Sequence, residues 1–328
     1  MKRLLTGLAL CLILSLVIGL AACKSQDAAQ SKEGDGSYYR VGISQLIQHG
    51  ALDAATQGFQ DALTEKLGDK VAFDYQNAQG DPNTCASIAN GFVASKVDLI
   101  LANATPALQA AATATADIPV LGTSITEYGV ALGLDNFTGT VGGNISGTSD
   151  LAPLDQQAQM IKDLFPEAEK VGLIYCSAEP NSLYQVDRMT HYLTELGLEA
   201  LPYPFTDSND LAAITSSAVR EVDVIYLPTD NTVASNAGII DNVCRPALVP
   251  VITGEKDPCA ICGVATLTID YYDLGFTTGL MAHQILTGQA DISQMPIQYA
   301  PNFSKMFNPE ICDALGLTMP DDYLPIRG

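Results

Sequence analysis

The sequence predicts an α/β protein of two Rossmann-like lobes, each a parallel sheet flanked by helices, joined by a multi-strand hinge. Three observations lead there. Short apolar runs alternate with stretches of helical period, as parallel strands linked by crossover helices require. The pattern then repeats at an offset of ~130 residues, which is domain-sized and too long for a solenoid. Val41-Gly42-Ile43-Ser44 returns as Val171-Gly172-Leu173-Ile174, and Asp81-Pro82-Asn83 aligns with Asn209-Asp210. Lys96-Val97-Asp98-Leu99-Ile100-Leu101 returns as Glu221-Val222-Asp223-Val224-Ile225-Tyr226, and Ile118-Pro119-Val120-Leu121 as Val249-Pro250-Val251-Ile252. Finally, 328 residues at 47% hydrophobic content supply two cores of ordinary size.

The first 22 residues read as a secretory signal, with Lys2 and Arg3 ahead of an apolar stretch from Leu4 to Leu20. Leu20-Ala21-Ala22-Cys23 resembles the bacterial lipobox, whose cysteine becomes the acylated first residue of the mature chain. The apolar stretch is near the lower length limit for a membrane span, so an ordinary signal or a single anchor is the competing expectation. Lipidation of Cys23 would hold the protein outside the cytoplasm on the cell membrane, each buried CH₂ contributing about 0.8 kcal/mol. Residues 24–37, rich in Ser, Gly, Gln and Asp, form a flexible tether.

The first lobe is expected over 38–149 plus 272–295. Tyr39–Ser44 is its first strand. Leu52, Ala55, Phe59, Leu63 and Leu67 then share one helical face, and Gly68 ends that helix. Val71–Tyr75 leads into Asn77-Ala78-Gln79-Gly80-Asp81-Pro82, a helix, and the strand Val97–Leu101. Pro106 suits the first turn of the Ala-rich helix that follows, and Pro119–Gly122 is the fourth strand. The glycine-rich segment Gly142–Gly147 reads as a turn at the lobe crossing.

The second lobe is expected over 150–271 plus 296–328. Leu154, Ala158, Ile161 and Phe165 define its first helix, and Val171–Cys176 its first strand. Val186, Met189, Leu193 and Leu196 define a helix stopped by Gly197. Val222–Leu227 delivers Pro228-Thr229-Asp230-Asn231, and Val264–Ile269 delivers Asp270. The helix over 273–286 returns to the first lobe. Hinge crossings are expected near 123–150, near 270 and near 290–296.

The formal charge of −21 repels nucleic acid and anionic lipid headgroups. Of eight cysteines, six remain once Cys11 and Cys23 are set aside: Cys85, Cys176, Cys244, Cys259, Cys262 and Cys312. Outside the cytoplasm they could be bridged or free. Cys259 and Cys262 form a lone C-x₂-C without a second pair, so neither a zinc site nor a redox motif is expected. His191 and His283 fit helix surfaces, whereas His49 follows the first strand and faces the predicted cleft. No nucleophile elbow, Walker loop, metalloprotease helix or dinucleotide fingerprint occurs. A binding protein without a cofactor is expected rather than an enzyme.

Ligands of open parallel sheets bind beyond the carboxyl ends of the strands, at helix N-termini. That rule selects Gln45, Asn77, Asn103, Thr105 and Ser124 from the first lobe. From the second it selects Asn181, Ser182, Asp230, Asn231 and Asp270. These are neutral hydrogen-bonding groups with two carboxylates and no cation, which suits a small zwitterion whose ammonium meets Asp230 or Asp270. The same residue types are ordinary helix caps; convergence of both lobes on one edge favours binding. Tyr271-Tyr272 can pack the hinge or stack on an aromatic ligand.

Five segments carry a resemblance. Asn77–Asp81, Ala104-Thr105-Pro106, Gly142-Gly143-Asn144, Pro228–Asn231 and Ile269–Gly275 are similar, in order, to those of the tryptophan/tyrosine-type substrate-binding lipoproteins of ABC transporters. The likeness runs from about Val41 to Leu317. It implies a type I periplasmic-binding-protein fold, an aromatic amino acid between the lobes, and a membrane permease as partner. The chain departs from the pattern at Cys259, Cys262 and Gly50, where the family usually has Pro. A sugar or nucleoside in the same fold, or a receptor-type sensing domain, is the alternative. Sugar sites usually stack aromatics on both faces, and this chain has no Trp.

Overall fold

The strands Val41–Ser44 and Val171–Ile174 are apolar on both faces, so each needs helices above and below it. In the computed structural model, which describes residues 38–327, they sit centrally in two separate sheets. The chain runs β1 (Tyr39–Gln45), α1 (Gly50–Leu67), β2 (Val71–Asn77), α2 (Pro82–Ser95), β3 (Leu99–Asn103), α3 (Thr105–Ala114), β4 (Val120–Ile125), α4 (Tyr128–Leu132) and β5 (Ile145–Ser149). It continues with α5 (Leu154–Leu164), β6 (Lys170–Cys176), α6 (Pro180–Glu195), β7 (Glu199–Phe205), α7 (Leu211–Ala218), β8 (Val224–Leu227), α8 (Asn231–Ser235), α9 (Ala237–Ala247), β9 (Val251–Thr253), α10 (Lys256–Cys262) and β10 (Ala265–Thr268). The last elements are α11 (Tyr271–Leu286), β11 (Gln298–Tyr299), β12 (Ser304–Phe307), α12 (Pro309–Leu315) and β13 (Leu324–Pro325). Among the described residues no helix is long and apolar enough to cross a membrane. The signal, Cys23 and the tether lie outside the described residues.

The first sheet is ordered β11-β5-β4-β3-β1-β2 and is parallel throughout. The second is ordered β13-β12-β10-β9-β8-β6-β7, with β12 antiparallel to β10. Position by position, β2-β1-β3-β4-β5 and β7-β6-β8-β9-β10 are the same arrangement, so the sequence repeat is a structural repeat. Each sheet buries its own apolar clusters: Ile43, Phe59, Leu99 and Leu101 in the first lobe, Leu173, Met189, Tyr226 and Leu267 in the second.

Helix α11 follows a strand of the second sheet but packs on α1 of the first lobe. The approach is so close that a Cβ on Gly275 would strike the backbone oxygen of Ala55. Two further connections join the lobes, Asp150–Pro153 and Ala300–Phe303. The last corrects the expected crossing near 290–296 and the assignment of 296–328 wholly to the second lobe. Ile297 is buried in the first core, and β11 pairs with β5 through Gln298–Thr148 and Tyr299–Ser149.

Strand β5 is a second correction, since Gly142–Gly147 was expected to be only a turn. Its polar residues are buried because tertiary partners satisfy them. Thr148 Oγ1 lies 3.2 Å from Thr123 Oγ1 and 2.8 Å from Thr278 Oγ1; Ser146 donates to the Met295 carbonyl at 3.0 Å and Ser149 to that of Thr126 at 2.9 Å. Gly147 has φ 145, and a Cβ there would run into the Gly122 carbonyl and the Tyr128 hydroxyl. The six described cysteines are unpaired and buried. Burial pushes the Cys85 thiol up to about 11 and that of Cys244 to about 12, which keeps them unreactive.

Candidate functional site

The carboxyl ends of the two sheets face one another, and a small cavity lies between them. The first lobe supplies His49 from the loop after β1, Leu52 from α1, and Ser124 and Thr126 from the end of β4. The second supplies Asn181 on the first turn of α6, Thr229 and Asn231 after β8, and Glu255 after β9. Asp150, just past β5, and Tyr271, the first residue of α11, close the hinge side. The cavity measures about 10 Å³, room for roughly one water molecule. Any larger guest requires the lobes to part.

Local irregularity aims these side chains. The register between β4 and β5 slips between Gly122 and Ile125, and Ser124 adopts φ 56, a left-handed conformation uncommon for serine. Bulges and such outliers concentrate at functional sites, where they redirect a side chain. Glu255 occupies the position preceding α10, yet its side chain caps nothing. It is 1% exposed, and neither carboxyl oxygen has a partner.

Unpartnered polar atoms converge here. Among the described residues nine buried side-chain nitrogens and oxygens lack a hydrogen bond. Six of these line this cavity: His49 Nδ1, Ser124 Oγ, Asp150 Oδ1, Asn181 Oδ1 and both Glu255 oxygens. A buried polar atom left unpaired costs about 1–3 kcal/mol, so such a concentration marks a place where a guest supplies the partners. Their orientation is fixed from behind. Asn181 Nδ2 and Asn231 Nδ2 donate to Glu179 Oε2 at 3.2 and 2.8 Å. Asn231 Oδ1 then meets His49 Nε2 across the cleft at 3.3 Å, so that nitrogen donates and His49 Nδ1 is left as an acceptor. Burial lowers the His49 pKa and keeps the ring neutral. With the carboxyls ionised, five of the six atoms are acceptors and Ser124 Oγ alone donates.

No Lys or Arg lines the cavity. Burial pushes the Glu255 carboxyl well above the usual range, and the carboxylates of Asp257, Asp150, Asp230 and Glu179 push it further. Burial likewise raises Asp150 to about 6, opposed by the Tyr271 hydroxyl, which donates to Asp150 Oδ2 at 3.0 Å. The site is short of positive charge and of hydrogen-bond donors.

Of the residues selected from sequence, Ser124, Asn181 and Asn231 meet at the cavity; the others do not. The Asp230 carboxylate is already occupied: it accepts from Cys176 N at 2.7 Å, Ser182 Oγ at 2.7 Å and Val233 N at 2.8 Å, capping α8. That also consumes Ser182. Asp270 is exposed and caps α11 through Asp273 N at 3.1 Å. Gln45 is saturated by Ile47, Asp53 and Thr56, and Asn103 Nδ2 holds the Leu52 carbonyl and Thr56. Asn77 closes a turn onto Gln79 N, and Thr105 is buried at the start of α3. Neither expected anchor, Asp230 or Asp270, is offered to the cavity; Glu255 and Asp150 are. The repeat itself held the missing signal, because Ser124 near the end of β4 and Glu255 just past the equivalent strand β9 are related by the same offset of ~130 residues.

The model of the family described as ABC transporter substrate binding protein matches residues 40–326. The chain belongs to that family. The substrate-binding protein is 36% identical over 319 residues to a tyrosine-binding protein of Clostridioides difficile, covering 94% of this chain and 92% of the relative. Among solved structures it resembles an ABC domain in complex with L-Trp from Streptococcus pneumonia, with TM-score 0.83 and 33% identity over 87% of this chain and 97% of that one. It also resembles the ligand-free, open structure of a substrate binding protein with adhesive properties from Clostridium difficile. There the TM-score is 0.69 at 37% identity, covering 88% and 99%. The fold is that of type I periplasmic binding proteins, a class that works outside the cytoplasm. The likeness is greater to the complex than to the open form despite lower identity, in keeping with the nearly closed cavity found here.

Proposed function

We propose that this substrate-binding protein is the extracytoplasmic amino-acid receptor of an ABC importer, tethered to the membrane by acylated Cys23 and delivering its ligand to the permease subunits. The two lobes, 38–149 with 272–299 and 150–271 with 300–328, close on an aromatic amino acid. The ammonium group sits against Glu255, helped by Asp150, His49 Nδ1 and Asn181 Oδ1. The carboxylate turns to the hydroxyls of Ser124, Thr126 and Thr229. One observation carries this reading: a buried inter-lobe cavity whose unpartnered atoms are almost all acceptors and whose lining holds no cation. An ammonium supplies three donors and the missing charge at once. The tyrosine-binding and tryptophan-bound relatives support the choice of ligand class.

Closure follows from the same inventory. Only in the closed form do Ser124 and Glu255 reach one guest from opposite lobes, so ligand shifts the population toward closure. Calorimetry with tyrosine, tryptophan and phenylalanine, against their deaminated hydroxy-acid analogues, tests the assignment. The amino acids bind, and loss of the ammonium weakens binding at least tenfold. Equal binding of the analogues, or no binding of any amino acid, would reject it.

A further inference from the structure

The polar cavity has no space for a side chain, so the aromatic part of the ligand must lie elsewhere. A second compartment of about 220 Å³ opens beside it at the cleft mouth, lined by Leu46, Ile47 and Pro106 of the first lobe and by Cys176, Ala178, Thr206, Thr232 and Glu179 of the second, the Glu179 carboxylate being engaged by Asn231 and Thr232. It meets the polar cavity at one shared residue, Asn231, whose amide oxygen contacts His49. We propose that this compartment, apolar along its Leu46, Ile47, Pro106 and Cys176 walls, is the side-chain subsite, taking the ligand's aromatic ring while Asn231 and His49 mark the junction with the ammonium end. The inference rests on the amino-acid reading above and adds where specificity is set.

Three features point to a ring here. The volume exceeds the roughly 150 Å³ that suffices to admit benzene into an apolar cavity. The floor is apolar and deep, with Leu46 and Cys176 each 3% exposed, and Cys176 packs as a small hydrophobe with only a long contact from Sγ to the Thr206 carbonyl. Both lobes contribute walls, so a ring would be gripped only on closure. The other compartment adjoining the polar cavity, reached past Tyr271, has apolar walls in Ile269 and Met306 but sets Lys256, Asp257 and Asp270 among them, whereas the one carboxylate of the proposed subsite, Glu179, is already held by Asn231 and Thr232. Small ligand sites generally combine an apolar pocket with a few fixed polar groups, and these two spaces divide that work.

Filling the compartment from its exposed rim tests this without disturbing the core. Ala178→Trp, at an exposed position, and Ile47→Asp, at a half-buried one, would be titrated with tyrosine, phenylalanine and alanine beside wild type, with melting temperature as the folding control. Wild type should prefer tyrosine and phenylalanine to alanine by at least tenfold. Each variant should lose more than tenfold in affinity for the aromatic pair while alanine binding stays within twofold. Unchanged aromatic affinity in both folded variants would overturn the subsite. A wild type that binds none of these ligands, or a Glu255→Gln variant that binds alanine undiminished, would instead bring down the ammonium anchor.

Discussion

Replacing Glu255 by glutamine is the most direct probe of the cavity. Glutamine keeps the volume and one acceptor oxygen but can never carry the charge. A hydrogen bond to a charged group contributes about 1.5–3 kcal/mol net, and about 1.4 kcal/mol corresponds to a tenfold change in affinity. Tyrosine should therefore bind Glu255→Gln roughly 10- to 150-fold more weakly. The empty protein should not suffer. Both Glu255 oxygens are buried without partners, and burial raises the carboxyl pKa well above its ordinary value. A raised folded-state pKa gives a contribution that is complete at low pH and lost as pH climbs through the folded value. The variant loses that penalty, so its melting temperature should match wild type in acid and exceed it increasingly toward alkaline pH. Calorimetry supplies the affinity and thermal melts the stability. A deaminated analogue completes the cycle and should bind both proteins equally. Tyrosine affinity within twofold of wild type would refute the assignment.

Other outcomes follow from the same geometry. Ligand binding should release protons near neutral pH, because an arriving ammonium favours ionised Glu255 and Asp150; calorimetry in buffers of different ionisation enthalpy would read it, with affinity falling as pH is lowered. Asp150 rises from 3.8 to about 6 on folding, so its burial should cost about 3 kcal/mol of stability between pH 4 and pH 7. Asp150→Asn should flatten that decline in urea melts. Asp230→Ala strands the Cys176 amide and the Ser182 hydroxyl and removes the α8 cap, so it should destabilise by about 2–4 kcal/mol. Asp270→Ala, at an exposed cap, should cost about 1 kcal/mol and leave affinity unchanged. Gly147→Ala should unfold the protein at lower temperature, since its Cβ meets the Gly122 carbonyl.

What the sequence made legible was whatever depends on apolar pattern. Val41–Ser44 and Val171–Ile174 can only be interior strands, and their repetition gives both sheets and the edges where they meet. Strand β5 escaped because Ser146, Thr148 and Ser149 look solvent-exposed until Met295, Thr123, Thr278 and Thr126 answer them, and those partners come from distant parts of the chain. The site divided in the same way. The strand-end rule selected Ser124, Asn181 and Asn231, which line the cavity, but it could not separate a carboxylate already engaged, Asp230, from one left free, Glu255. That distinction lies in who donates to each oxygen, a tertiary fact. His49 was seen to face the cleft; its hydrogen bond to Asn231 was not.

The duplicated scaffold also carries an asymmetry with directional force. Ser124 and Glu255 are counterparts in a twofold design, yet one is a neutral hydroxyl and the other an acid. A guest with unlike ends therefore meets unlike hosts and has a single way round in which to lie. Exchanging the pair, Ser124→Glu with Glu255→Ser, would ask the ligand to turn end for end and would point its ring away from the mouth of the cleft.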